Sequence, residues 1–196
     1  MLSIFKPAAE RLLKPLAYPL RRINPNVITC VGAVFPVLFF VCVVRGMLIA
    51  ALAVLVLSAA DMLDGLVARA QNRVTAFGGF LDSTADRFSD FVVLVAFGYS
   101  GIVGWNIVLP LVLLTYLISY IRSRTELAAG GKLKADVGIM ERTERLVALF
   151  AGLLAYAIWP HITVVGYNLM ICMFAVLIVL SAVTVAQRVH FAYRHL

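Results

Sequence analysis

The sequence predicts an all-α integral membrane protein, with six transmembrane helices behind an N-terminal interfacial amphipathic helix. Three observations predict it. Hydrophobic residues make up 63% of the chain and charged residues 14%, against about half and about a quarter in an ordinary soluble domain. The apolar residues gather in runs near the length that crosses a bilayer, about 20 residues each. The cations fall in alternate gaps between those runs. A globule of 196 residues with a mean hydropathy of +0.98 has too few polar side chains to face water. Disorder, a coiled coil and a soluble enzyme are therefore excluded. A nucleic-acid binder with a net charge of +7 would be far more polar, so no nucleic-acid partner is expected.

Residues 1–23 form an interfacial juxtamembrane segment, in which Ile4, Phe5, Ala8, Leu12, Leu13 and Leu16 stand near helical spacing with cations between them. No apolar core followed by a small-residue cleavage site is present there, so no cleaved signal peptide is expected. Residues 24–196 form the transmembrane domain. The first span runs uncharged from Val27 to Val44, and Asn24-Pro25-Asn26 supplies a cap and a proline at its start. Arg45-Gly46 is a tight turn. The second span begins at Met47 and continues to about Ala70, with Asp61, Asp64 and Arg69 near its end. The third runs from near Gly79 to about Ser100 and carries Asp82, Asp86, Arg87 and Asp90 in its first half. Ser100-Gly101 and Gly104 turn the chain into a fourth span, Trp105 to Ile121. A polar loop extends from Arg122 to Arg145. Leu146 to Gln187 is uncharged if His161 is neutral, is too long for one span, and divides at Trp159-Pro160-His161 into the fifth and sixth. Cys30, Cys42 and Cys172 lie in apolar runs and are read as buried small hydrophobes rather than disulfides or metal ligands.

The charges test the count. In a six-span arrangement 16 of the 17 cations fall on one side, Arg45 alone lying on the other. The positive-inside rule makes that side cytoplasmic, with both termini inside a multi-pass cell membrane protein.

The acids are the unusual feature. An ionisable group within a span costs about 3 kcal/mol on insertion scales, so it suggests function by default. Asp61 and Asp64, three residues apart, share a helix face, as do Asp82 and Asp86, four apart. Asp61 stands 14 residues past Met47, about 21 Å along a helix, toward the cytoplasmic side. Asp82 lies about one turn into a helix that starts from that side. Four carboxylates converging at low dielectric need cations. Arg69 and Arg87 supply part of this. Oxygen ligands without His or Cys suit Mg²⁺, Mn²⁺ or Ca²⁺, and two bridged metals serve phosphoryl displacement. Gly65, Ala68, Gly78 and Gly79 allow close approach of a backbone or ligand. An ion or proton transporter is the competing reading, but such proteins place acids near mid-membrane within inverted repeats. No internal repeat is visible here.

The string D-x-x-D-G-x-x-A-R-x8-G-x3-D-x3-D, carried by Asp61, Asp64, Gly65, Ala68, Arg69, Gly78, Asp82 and Asp86, resembles the signature of the CDP-alcohol phosphotransferases at every fixed position. The resemblance implies a six-span fold, a CDP-lipid donor, an alcohol acceptor, release of CMP, and two divalent metals, Mg²⁺ or Mn²⁺. It implies that Asp61, Asp64 and Asp82 hold the metals. Asp86 is then the catalytic base, also within reach of a metal. Gly65, Ala68, Arg69 and Gly78 become the cytidine-diphosphate cradle, with Pro25, Asn26 and Thr29 near the nucleotide. A homodimer, with the active site facing the cytoplasm, is also implied. Asp90 lies outside the signature and is read as a structural partner.

Gly138-Ile139-Met140-Glu141-Arg142-Thr143-Glu144-Arg145-Leu146 resembles the phosphatidylinositol phosphate and archaetidylinositol phosphate synthases within that family. That resemblance implies inositol 1-phosphate as acceptor, with glycerol 3-phosphate as the alternative. A phosphorylated acceptor needs an anion pocket, for which Lys134, Arg142 and Arg145 are the candidates, with Arg122 and Arg188. Glu141 and Glu144 are expected to pin Arg142 and Arg145.

Overall fold

The computed structural model describes residues 24–58, 71 and 75–196. The interfacial segment 1–23 and the residues Asp61, Asp64, Gly65, Ala68 and Arg69 lie outside the described residues. The chain divides into two compact units, one ending at Ala96 and the other beginning at Phe97.

In the first unit, Asn24 caps α1 (Pro25–Gly32) by accepting a hydrogen bond from the Asn26 N–H at 3.0 Å, with Pro25 at the first helical position. The expected first span is helical but broken at Ala33, after which α2 covers Val34–Val44. Pro36 explains the break. It has no N–H to offer the Gly32 carbonyl, and its ring crowds that oxygen, so it sits in the first turn of a new helix. At the far end Gly46 takes φ +72°, the Met47 N–H reaches the Cys42 carbonyl at 2.8 Å, and the Gly46 N–H reaches Val43 at 3.0 Å. This paired arrangement closes α2 and reverses the chain within one tight turn, as the Arg45-Gly46 dipeptide predicts. Then α3 (Leu48–Ser58) returns along α2, and the two bury Phe39, Val43, Ala51, Leu52 and Leu55. The long helix α4 (Ala76–Tyr99) starts three residues before its expected position, capped by Thr75 Oγ1, which accepts from the Gly78 N–H at 3.0 Å.

In the second unit, α5 (Trp105–Ala128) runs two turns beyond its expected end. Arg122 and Arg124 are thus helical rather than part of a loop. An ion pair one turn apart, Arg122 Nε to Glu126 Oε1 at 3.1 Å, stabilises this polar extension. Similarly, Arg142, Glu144 and Arg145 belong to the first turn of α6 (Arg142–Ile158), so the loop contracts to 129–141. Charge density marked these residues as loop, but charged residues are good helix formers once the helix emerges from the apolar layer. A two-stranded hairpin follows, β1 (Thr163–Val164) against β2 (Tyr167–Asn168), at the Trp159-Pro160-His161 division. Its tip is Val165-Gly166, with φ values of 53° and 81°, and Val165 is 90% exposed.

The last helix, α7 (Leu169–His195), packs along both α5 and α6. Asn168 caps it, accepting from the Ile171 N–H at 2.8 Å while its amide donates to the Ile102 carbonyl at 2.9 Å. Against α6 the approach is close: a Cβ on Gly152 would stand 2.8 Å from Met173 Cγ. Leu111, Leu149, Leu153, Met170, Phe174 and Leu177 form the buried core. Phe97 meets Phe174 edge-on at 5.2 Å.

The outward faces are apolar too. Val27, Val31, Val34, Leu38 and Val41 are exposed on α1 and α2, and Val176, Val179 and Val183 on α7. A soluble monomer does not leave such continuous patches uncovered. Among the described residues, Pro25–Val44, Trp105–Ala128 and Leu169–His195 are long and apolar enough to cross a membrane. The cysteines are free, but Cys30 is exposed and Cys42 and Cys172 are half-buried. The sequence reading of all three as buried small hydrophobes is corrected, most clearly at Cys30. An apolar environment is available to a small hydrophobe on the outside of a membrane helix, so pattern alone does not say which side it takes.

Candidate functional site

In the first unit, Gly78, Asp82 and Asp86 recur every fourth residue and line one face of α4. Exposure falls along this face. Asp82 is exposed, the Asp86 side chain is 22% accessible and the Asp90 side chain 2%. Arg87 lies between the last two, with its NH2 3.5 Å from Asp86 Oδ2 and its Nε 3.8 Å from Asp90 Oδ2. Asp90 is buried against a cation, in keeping with its reading as a structural partner. Asp82 and Asp86 remain at the accessible end, where a ligand can reach them.

The start of α1 comes close to the start of α4. A Cβ on Gly78 would stand 3.1 Å from Thr75 Oγ1 and 3.4 Å from Asn26 Oδ1. A side chain there would press on the capping Thr75 hydroxyl and lie in van der Waals contact with Asn26. Thr29, one turn further along α1, is nearly buried and donates to the Pro25 carbonyl at 3.2 Å. The structure thus brings Asn26 and Gly78, both expected near the nucleotide, to one place.

Asp82 and Asp86 supply hard oxygen donors one turn apart on an accessible face, which fits a divalent cation of the Mg²⁺ or Mn²⁺ kind. No group of three or more possible metal ligands occurs among the described residues. Asp61 and Asp64, which would complete the set, lie outside them.

In the second unit the five expected cations differ in their surroundings. Lys134 is exposed, Arg142 is half-buried at the head of α6, and Arg145 is buried one turn later. Arg122 is held by Glu126 and by Asp136, whose Oδ1 lies 2.8 Å from its NH1. Glu126 also accepts the Ala135 N–H at 3.1 Å. Arg188 is 3% exposed; it donates from Nε to the Val137 carbonyl at 2.8 Å and from NH1 to the Ile118 carbonyl at 2.7 Å, with NH2 3.5 Å from Glu141. Glu141, expected beside Arg142 or Arg145, therefore pairs with Arg188. Through these contacts Arg122 and Arg188 also frame the loop: a planar guanidinium with five donors can bind several groups at once and so tie segments together.

Sequence reasoning named Arg188 but missed the two residues beside it. Ser181 and Thr184 are buried with Arg188 on a single face of α7. The signal was present as polar residues spaced three and four apart in an otherwise apolar helix.

Comparison with known proteins gives a consistent picture. The profile of the CDP-alcohol phosphatidyltransferase family matches residues 22–185. An archaetidylinositol phosphate synthase of Pyrococcus horikoshii is 33% identical over 199 aligned residues, covering 100% of this chain and 98% of the relative. The crystal structure of a Mycobacterium tuberculosis phosphatidylinositol phosphate synthase with CDP-DAG bound is similar, with a TM-score of 0.80 at 29% identity over 93% of this chain and 94% of the other. The same mycobacterial enzyme in complex with manganese and citrate gives a TM-score of 0.78 at 29% identity, covering 92% and 88% of the two chains.

Proposed function

Because this chain belongs to the CDP-alcohol phosphatidyltransferase family, we propose that it makes a phosphorylated inositol lipid. It is a membrane protein and a CDP-alcohol phosphotransferase, of a family that uses divalent metals. In our reading, a diacylglycerol phosphate or archaeol phosphate group passes from a CDP-lipid to the hydroxyl of inositol 1-phosphate. The new acceptor O–P bond forms as the P–O bond within the diphosphate breaks, and CMP leaves. The observation that carries the acceptor is the full-length relationship to an archaetidylinositol phosphate synthase. The Gly138–Leu146 motif supports it.

Asp61, Asp64, Asp82 and Asp86 would hold two divalent ions. These, when bound, neutralise the diphosphate and stabilise the charge that develops on it. Asp86 takes the proton of the attacking hydroxyl. Gly65, Ala68, Arg69 and Gly78, with Pro25, Asn26 and Thr29, cradle the cytidine diphosphate. Lys134, Arg142 and Arg145, with Arg122 and Arg188, bind the acceptor's phosphate through charge-assisted hydrogen bonds. Arg122 and Arg188 keep the loop that carries Lys134 in place. The chain crosses the membrane six times with both termini and the site on the cytoplasmic side, residues 1–23 lie in the interface, and the working form is a homodimer.

Purified protein supplied with CDP-diacylglycerol or CDP-archaeol and Mg²⁺ is expected to release CMP when myo-inositol 1-phosphate is added. Product with glycerol 3-phosphate but none with inositol 1-phosphate would sink the acceptor assignment.

A further inference from the structure

One turn of α7 grips the loop 129–141 at three points. Arg188 Nε holds the Val137 carbonyl at 2.8 Å. Thr184 Oγ1 accepts the Met140 N–H at 3.0 Å while donating to the Leu180 carbonyl at 2.9 Å. Between them, Gly138 lies directly against Thr184: a Cβ at Gly138 would overlap the Thr184 methyl carbon, and its φ of +137° favours glycine independently. Thr184 is fully buried, so no water can replace its hydroxyl as the acceptor for Met140. Met140 is itself buried and stands two residues before Arg142, the first residue of α6. Glu141 is the N-cap residue of α6, but its side chain makes no capping hydrogen bond to that helix. The start of that helix is therefore located by what lies just before it.

We infer that Thr184 is a positioning residue for the acceptor site. It touches no substrate. By fixing the Met140 N–H and receiving Gly138, it sets where α6 begins and so where Arg142 and Arg145 present their guanidinium groups. The inference rests on the proposed role of Lys134, Arg142 and Arg145 in binding the acceptor's phosphate. Its chemistry is specific: the hydroxyl matters for Met140, and the size of the side chain matters for Gly138.

The test measures steady-state KM separately for myo-inositol 1-phosphate and for CDP-diacylglycerol. Thr184→Val keeps the volume and removes the acceptor. It should raise the acceptor KM about tenfold, the worth of one buried hydrogen bond, and leave the donor KM unchanged. Thr184→Ser, which keeps the hydroxyl, should restore it. Gly138→Ala reads the same contact from the loop side and should also raise the acceptor KM, which keeps the idea testable if the valine variant does not fold. An unchanged acceptor KM in a folded Thr184→Val or Gly138→Ala protein, an equal rise in both KM values, or no rescue by serine would overturn it. Arg142→Ala and Lys134→Ala, measured alongside, separate the two claims. If they raise the acceptor KM while Thr184→Val does not, the acceptor site stands and the positioning role fails. If neither alters it, the acceptor-site reading fails and takes this inference with it.

Discussion

The two units handle charge in opposite ways. On α4, carboxylates recur at helix period, and Asp82 and Asp86 stand at its more accessible end. In the second unit, Arg188 is buried and bonded to carbonyls of α5 and of the loop. One pattern keeps charge toward the accessible end of a helix. The other spends it on holding irregular backbone where water cannot satisfy it. The lesson is that a charged residue in a membrane helix signals a site only after its local partners have been counted. Asp86 and Asp90 make the point on a single face, since one turn takes the carboxylate from 22% accessible to 2%.

The contrast can be broken at several places. Chelation by EDTA should abolish CMP release, and Mg²⁺ or Mn²⁺ should restore it; retention of full activity in a metal-free preparation would remove the basis for the carboxylate assignment. Asp86→Asn is expected to slow CMP release by about 10²- to 10⁴-fold, the usual worth of a positioned base, while leaving the unfolding midpoint in detergent nearly unchanged. A variant releasing CMP at the starting rate would show that Asp86 is not the base. Asp90→Asn should do the reverse, lowering the midpoint and largely sparing turnover. Arg188→Met should cost about 3 kcal/mol of stability, because three acceptors lose one donor group inside the protein. A midpoint equal to that of the starting protein would mean that the buried arginine does not hold the loop. The smallest effect is expected at Gly46, where alanine should cost about 1 kcal/mol through its φ of +72°, with turnover unaffected.

Much of this was legible in the sequence, for identifiable reasons. The Asn24-Pro25 start, the Gly46 reversal and the division near Trp159 follow from local rules of capping and backbone freedom, which act over a few residues. The carboxylate face of α4 follows from helix period. What could not be read depends on pairings, some one turn apart and some distant in sequence. The extra two turns of α5 were hidden because Arg122, Arg124 and Glu126 look like loop charge until the pairing of Arg122 with Glu126 is seen. The framing roles of Arg122 and Arg188 depend on Asp136, Val137 and Ile118, up to 70 residues away. The Gly32–Ala33 break could have been anticipated from Pro36, but an unbroken apolar run concealed it.

The hairpin tip has a practical consequence. Val165 is almost wholly exposed, lies outside every helix and packs against nothing that a change there would disturb. A single thiol introduced there, with Cys30, Cys42 and Cys172 replaced by alanine, becomes a reporter of sidedness. If the termini are inside, a membrane-impermeant maleimide added to spheroplasts should label that thiol, and labelling only after lysis would invert the arrangement. A short stretch outside the helices is thus the place from which their orientation can be read.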